Sequence, residues 1–283
     1  MLTAKCGQSP KPREAVRMPS NFVTRGAAAY DSYMGRWSKR LASGFLEFAG
    51  LVEGAAVLDV GCGTGSLTFE IAARRIAASI DALDYELEFV EAANTRKGTA
   101  SINVRQGDAM ALPYGPAQFD MALSLLVLHF VPDAVRAISE MVRVVKPGGV
   151  VAAAVWDTFG GMPSLRMFWD TVAAIHPPAE QRRCGLLIRP MTRPNELQTA
   201  FQRAGLSNVA ATLLTIRMDF ESFEDFWTPA VFGQGNHSEF LAGLREPTRR
   251  QIESSVRAAF LAGLPDGPRS FACSAWAVRG MVT

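Results

Sequence analysis

Asp59-Val60-Gly61-Cys62-Gly63-Thr64-Gly65 sets three glycines behind a carboxylate at the end of an apolar run. Glycines at this spacing permit a tight turn and let a ligand come close to the backbone. Two ligand classes compete for such a turn. A dinucleotide site calls for G-x-G-x-x-G, with the pyrophosphate at a helix N-terminus. Counted from Gly61 and Gly63, the third position holds Ser66 instead. Asp59 also puts negative charge where a dianionic pyrophosphate would sit. That charge suits a ligand with a cationic amino group. Gly61, Gly63 and Gly65 are therefore binding candidates with Asp59, and Cys62 joins them as a small residue offering its backbone.

Acid/base candidates are few. His129 has an ordinary pKa near neutrality and is the candidate general base; a purely hydrogen-bonding role is the competing reading. His176 precedes Pro177-Pro178 and marks a loop, and His237 falls in a polar loop. Cys6, Cys62, Cys184 and Cys273 form no C-x-x-C pair and have no histidine at ligand spacing. They are expected to be free thiols, with no metal site.

These residues need a frame that brings them together. Short apolar runs predict strands at 56–60, 80–83, 102–106, 119–124 and 150–156. Helices are predicted at 66–73, 87–93 and from Pro132-Asp133 to about residue 144, with Asp133 as the cap. Lys146-Pro147-Gly148-Gly149 is a turn ending that helix. The alternation implies right-handed crossovers and a parallel sheet covered on both faces. Ligands of such sheets sit outside the C-terminal strand ends. Ser124 and Leu125 after the fourth strand, and Trp156-Asp157 after the fifth, face that crevice.

The chain at this point resembles the class I methyltransferases that use S-adenosylmethionine (SAM). Val57-Leu58-Asp59-Val60-Gly61-Cys62-Gly63-Thr64-Gly65 is similar to their first motif, and Ala82-Leu83-Asp84-Tyr85 to the end of their second strand. Residues 106–113 (QGDAMALP), 119–124 (FDMALS) and 142–149 (VRVVKPGG) resemble three later motifs. The likeness covers residues 57 to 156 and is nearest to the ubiquinone/menaquinone type.

It implies that Asp84, with Tyr85 beside it, holds the ribose hydroxyls, about twenty residues after the turn. A strand-end cap for the next helix is the alternative for Asp84, and Asp81 is its competitor. Asp108 is implied at the adenine, where Gly107 and Ala109 leave room. An N-terminal segment with Tyr30, Tyr33, Met34 and Trp37 at helical spacing packs on the core or closes over the cofactor. Tyr30, Met34 and Trp37 are counted as cofactor candidates there, since aromatic faces attract a sulfonium. Arg36 is a candidate for the methionine carboxylate, with a solvated side chain as the equal alternative.

Later residues are predicted to form helices at 164–175, 195–204, 222–232 and 247–261, with a polar loop before the last, and strands at 209–218 and 271–279. The expected fold is a Rossmann-like α/β seven-stranded class I methyltransferase sheet: five parallel strands and a terminal antiparallel pair. Residues 21–283 are read as one domain, with a SAM-binding core at 56–156, helical insertions at 158–204 and 222–268, and a disordered tail at 1–20. Aromatic residues of the insertions (Phe159, Phe168, Trp169, Phe223, Phe226, Trp227 and Phe232) either line an acceptor pocket or pack helix on helix.

The expected function is methyl transfer from SAM to a small-molecule acceptor, giving S-adenosylhomocysteine. A nicotinamide-dependent oxidoreductase and a non-catalytic SAM-binding protein are the alternatives. A net charge of +2 does not by itself point to a nucleic-acid binder, although a local basic groove stays open, and no nucleic-acid partner is expected. No apolar run is long enough for a membrane span, no secretory leader is visible, and a cytoplasmic location is expected. No N/D-P-P-Y motif or Pro-Cys pair follows the fourth strand, which disfavours enzymes acting on nucleic-acid bases. Either a monomer or a homodimer fits the sequence.

Overall fold

The computed structural model describes residues 26–98, 101–187, 189–232 and 236–283. The tail expected at 1–20, with Cys6, lies outside them. A seven-stranded sheet runs in the order β3-β2-β1-β4-β5-β7-β6. Its strands are β1 Ala56–Val60, β2 Ser79–Asp84, β3 Ile102–Gln106, β4 Phe119–Leu125, β5 Val145–Trp156, β6 Ser207–Phe220 and β7 Arg269–Met281. The first five are parallel, and β7 runs antiparallel to both β5 and β6. Val57, Leu58 and Val60 of β1 and Ala122 and Leu123 of β4 are inaccessible, as a parallel sheet covered on both faces requires. The strand order reverses between β1 and β4. That switch point opens a crevice at their C-terminal ends.

The helices over the core are α1 Ala27–Tyr30, α2 Arg36–Ala49, α3 Ser66–Arg74, α4 Leu87–Lys97 and α5 Ala134–Val144. Asp133 caps α5, its carboxylate accepting the Arg136 N–H at 2.9 Å. Between α1 and α2 the residues Asp31–Gly35 form a turn of π-helix, a wider coil that recurs at functional sites. One face of α2 buries Trp37, Leu41, Phe45 and Leu46. Each large side chain buried this way contributes roughly 1.5–3 kcal/mol.

The later helices are α6 Pro163–Ile175, α7 Glu180–Leu187, α8 Glu196–Arg203, α9 Phe223–Phe232, α10 Asn236–Ala242 and α11 Glu246–Leu261. Three departures from expectation matter. The strand after α5 starts at Val145, because Phe119 pairs with Val145 and Met121 with Val150, leaving 146–149 as an irregularity inside β5. Gly148 there donates to Val282 O at 2.8 Å. The polar loop expected before α11 contains α10, and His237 lies within it. Residues 180–187 are helical where no element was expected. Among the described residues no helix is long and apolar enough to cross a membrane.

Candidate functional site

A cavity of about 280 Å³ opens at the C-terminal ends of β1, β2 and β4. The glycine turn forms its floor. Gly61 has φ 78°, and a Cβ added there would lie 2.4 Å from a Val127 methyl. Gly63 has φ 53° and nothing within 4 Å of an added Cβ, so its exposed side is free for a ligand. Gly65 serves the fold: its missing side chain makes room for the Phe69 ring of α3. The wall of the cavity does not include Gly65, and Cys62, which does line it, has its thiol pushed well up by burial.

Four carboxylates line the cavity, Asp59, Asp84, Glu86 and Asp108. Asp84 Oδ2 accepts the Gly63 N–H at 2.8 Å, and Oδ1 accepts the Glu86 N–H at 2.9 Å. Burial pushes Asp84 up to about 6, with those two N–H groups pulling the other way. Each oxygen keeps a lone pair for another donor. Asp59 Oδ2 accepts from the Thr68 hydroxyl at 2.5 Å, whereas its buried Oδ1 has no partner among the described residues. Burial raises Asp59 to about 7, and nearby Asp84 adds to the rise. Asp108 Oδ1 accepts the Met110 N–H at 2.8 Å. The competitor Asp81 is engaged elsewhere, by Asn103 at 2.6 Å and Tyr114 at 3.4 Å.

Tyr85, Ala109 and Leu125 also line this cavity, as do Tyr30 and Met34 from the N-terminal helix. Ser124 and Trp37 do not. Ser124 is fully buried and donates to Val60 O at 3.0 Å, tying β4 to β1. Trp37 sits one turn further along and faces a second cavity. Arg36 turns away too, pairing with Asp225 at 2.7 Å and stacking 4.3 Å over Trp37.

The N-terminal helix is tied to the glycine turn by Asp31, which the sequence reading did not single out. Its carboxylate accepts from the Thr64 hydroxyl at 2.6 Å and pairs with Arg96 of α4. An aspartate inside an aromatic amphipathic segment was the available signal. Tyr30 packs 5.2 Å from Phe89 and contacts Ser38 at 3.3 Å.

The second cavity, of about 140 Å³, lies against the first, and Tyr30, Met34, Phe130 and Trp156 form walls of both. It collects Tyr33, His129, Arg189 and His237 within an otherwise mostly apolar lining. His129 is nearly inaccessible, and its Nδ1 has no partner among the described residues. Burial holds it neutral, well below the usual histidine range, and the Arg189 charge adds to this. His237 Nδ1 meets the Tyr33 hydroxyl at 2.7 Å, and its ring packs on Phe168 and Trp169. Burial pulls it down to about 3.

Of the aromatics expected at an acceptor pocket, Phe226 lines this cavity. Phe168, Trp169, Phe223 and Trp227 pack against one another and their helices, and Phe159 is exposed. The Phe232 side chain lies outside what is described.

Comparison with known proteins places this sheet and its glycine turn in a family. Residues 58–153 match the family model described as a methyltransferase domain. A malonyl-[acyl-carrier protein] O-methyltransferase from Geobacter sulfurreducens is 33% identical over 85% of this chain and 89% of its own length. Its namesake from Pseudescherichia vulneris is 34% identical over 52% of this chain and 57% of its own. The chain spans about half the length of several other curated relatives it matches. The YcgJ structure from Bacillus subtilis superposes with a TM-score of 0.55 at 19% identity, over 86% of this chain and 97% of that one, and shares the fold. The chain belongs to the SAM-dependent methyltransferases.

Proposed function

We propose that this protein transfers a methyl group from SAM to a small, largely apolar acceptor held in the second cavity. The observation that carries the reading is the wall shared by the two cavities, made by Tyr30, Met34, Phe130 and Trp156. A methyl group leaving the first cavity meets an occupant of the second without crossing solvent.

SAM supplies a sulfonium-activated methyl group, so the protein's task is to bind, align and keep out water. The unpaired buried Oδ1 of Asp59 suits the ammonium of the methionine end. Asp84 suits the ribose hydroxyls, and Asp108 the adenine amino group. The absent Cβ of Gly63 gives the ligand backbone contact. Tyr30 and Met34 close the cavity from the N-terminal side. His129 and His237 are neutral, so either is able to accept a proton from an acidic acceptor, though their depressed basicity makes them weak bases.

Relatives named as a 27-O-demethylrifamycin SV methyltransferase and a demethylmenaquinone methyltransferase agree with a small-molecule acceptor. Residues 26–283 are read as one domain, since β6 and β7 from the last third complete the sheet of the core. A cytoplasmic protein that does not act on nucleic acid is the accompanying proposal. The test of methyl transfer is formation of S-adenosylhomocysteine by the purified protein in fractionated small-molecule extracts. Acceptor-dependent turnover supports the reading. Tight SAM binding with no turnover in any fraction favours a non-catalytic binding protein.

A further inference from the structure

Arg189 is the feature of the second cavity that methyl transfer by itself does not require. Two arginines line this cavity, Arg36 and Arg189, and no aspartate or glutamate does among the described residues. Arg36 is neutralised by Asp225 at 2.7 Å. No carboxylate among the described residues pairs with Arg189. Its guanidinium lies 4.5 Å over the Phe130 ring, and the groups that feel its charge are Tyr33, His129 and His237. Both histidines are held neutral by burial, and the tyrosine is held protonated. Among the described residues, the cavity therefore carries one positive charge with no carboxylate to balance it.

Such a charge is costly unless a ligand completes it. Desolvation already pulls Arg189 down to about 10, which still leaves it charged at neutral pH. The guanidinium fork matches a carboxylate through two parallel hydrogen bonds. Its position is also informative. Phe130 lines both cavities, so an anion over that ring sits at the boundary with the cofactor cavity. Behind it the wall is apolar, with Met218, Phe220 and Phe226. A volume of about 140 Å³ is close to that of an apolar cavity that accepts benzene.

Building on the acceptor-cavity reading above, we propose that the acceptor is a compact apolar carboxylic acid. Its carboxylate is bound by Arg189 and its body lies along Met218, Phe220 and Phe226. Arg189 is then a specificity-determining residue, selecting acids over neutral isosteres.

The test uses benzoate and its neutral isostere benzamide, titrated by NMR into the full-length protein saturated with S-adenosylhomocysteine. Wild type should bind benzoate at least about tenfold more tightly than benzamide, as expected for a charge-assisted pair. Arg189→Gln should bring the ratio close to one, and Arg189→Lys should retain part of it. S-adenosylhomocysteine affinity and melting temperature are measured on each variant. Unchanged values show that the cofactor site and fold are intact. Equal binding of the two probes by wild type, binding of neither, or a preference that survives Arg189→Gln overturns the proposal. Failure of S-adenosylhomocysteine to bind would overturn the cofactor reading instead, and the benzoate ratio on the unliganded protein would then decide the carboxylate proposal separately.

Discussion

Asp84 Oδ2 accepts the backbone N–H of Gly63 at 2.8 Å, so the acidic end of β2 and the glycine turn after β1 hold each other in place. The same carboxylate faces the cavity. Asp84→Ala should therefore remove the two ribose contacts proposed for it and loosen the turn. SAM binding should weaken by about 1–3 kcal/mol. Asp81→Ala should leave affinity unchanged, because Asp81 is engaged by Asn103 and Tyr114 away from the cavity. Titration calorimetry on both variants checks this, and a reversed order would mean the wrong carboxylate has been assigned to the ribose.

Gly61 and Gly63 should respond differently to alanine. At Gly61 a Cβ collides with Val127 from a left-handed backbone, so Gly61→Ala should lower stability by roughly 1–3 kcal/mol. At Gly63 the added methyl meets no protein atom and points into ligand space. Gly63→Ala should change unfolding by only about 1 kcal/mol, from its backbone strain. Its main effect should be a loss of SAM affinity. Thermal unfolding and calorimetry together separate the two effects.

Asp59 should make SAM affinity dependent on pH. Burial raises its carboxyl to about 7, and the ligand ammonium proposed beside it would hold it ionised. Below pH 7 binding must expel a proton, so affinity should fall as the pH drops, by up to about tenfold per unit. Above that value the affinity should level off. Asp59→Asn should bind more weakly and lose most of this dependence. An affinity constant from pH 5.5 to 8 in wild type would contradict the role given to Asp59.

His237 should make the fold acid-sensitive. The folded protein holds it near 3, while the unfolded chain protonates it below about 6.5. Between those values the unfolded state binds the extra proton, so stability falls as pH falls. The contribution is about 1.4 kcal/mol per pH unit. Buried Asp59 and Asp84, whose pKa values are raised, act in the opposite direction, so the difference between variants is the readout. His237→Gln is expected to cost stability at pH 7 through the lost Tyr33 contact. That deficit should shrink steadily from pH 6 to pH 4. A deficit independent of pH would show that His237 is charged in the folded protein.

The core strands were legible because each is a short apolar run closed by a turn, and their observed ends lie within a residue or two of the expected ones. The exception is β5, where residues 146–149 were read as a turn ending a helix. The backbone does turn there, yet pairing to β4 starts at Val145 and resumes at Val150. His237 was hidden by its polar neighbours Asn236, Ser238 and Glu239. The helical signal was present, since buried Phe240 and Leu241 follow at three and four positions. Arg189 had no local signal. Its importance comes from which residues surround it, and those come from the π-helical turn, the turn after β4 and α10, far apart in the chain. Gly65 was read with the ligand turn, whereas its space is taken by Phe69, a packing relation that glycine spacing does not reveal.

The most direct measurement is parallel calorimetric titration of the purified protein with SAM, S-adenosylhomocysteine and NADH. Micromolar binding of both adenosyl ligands, weakened in Asp84→Ala, with no heat from NADH, is the predicted result. Binding of NADH with neither adenosyl ligand would contradict the account and return the glycine turn to the dinucleotide class.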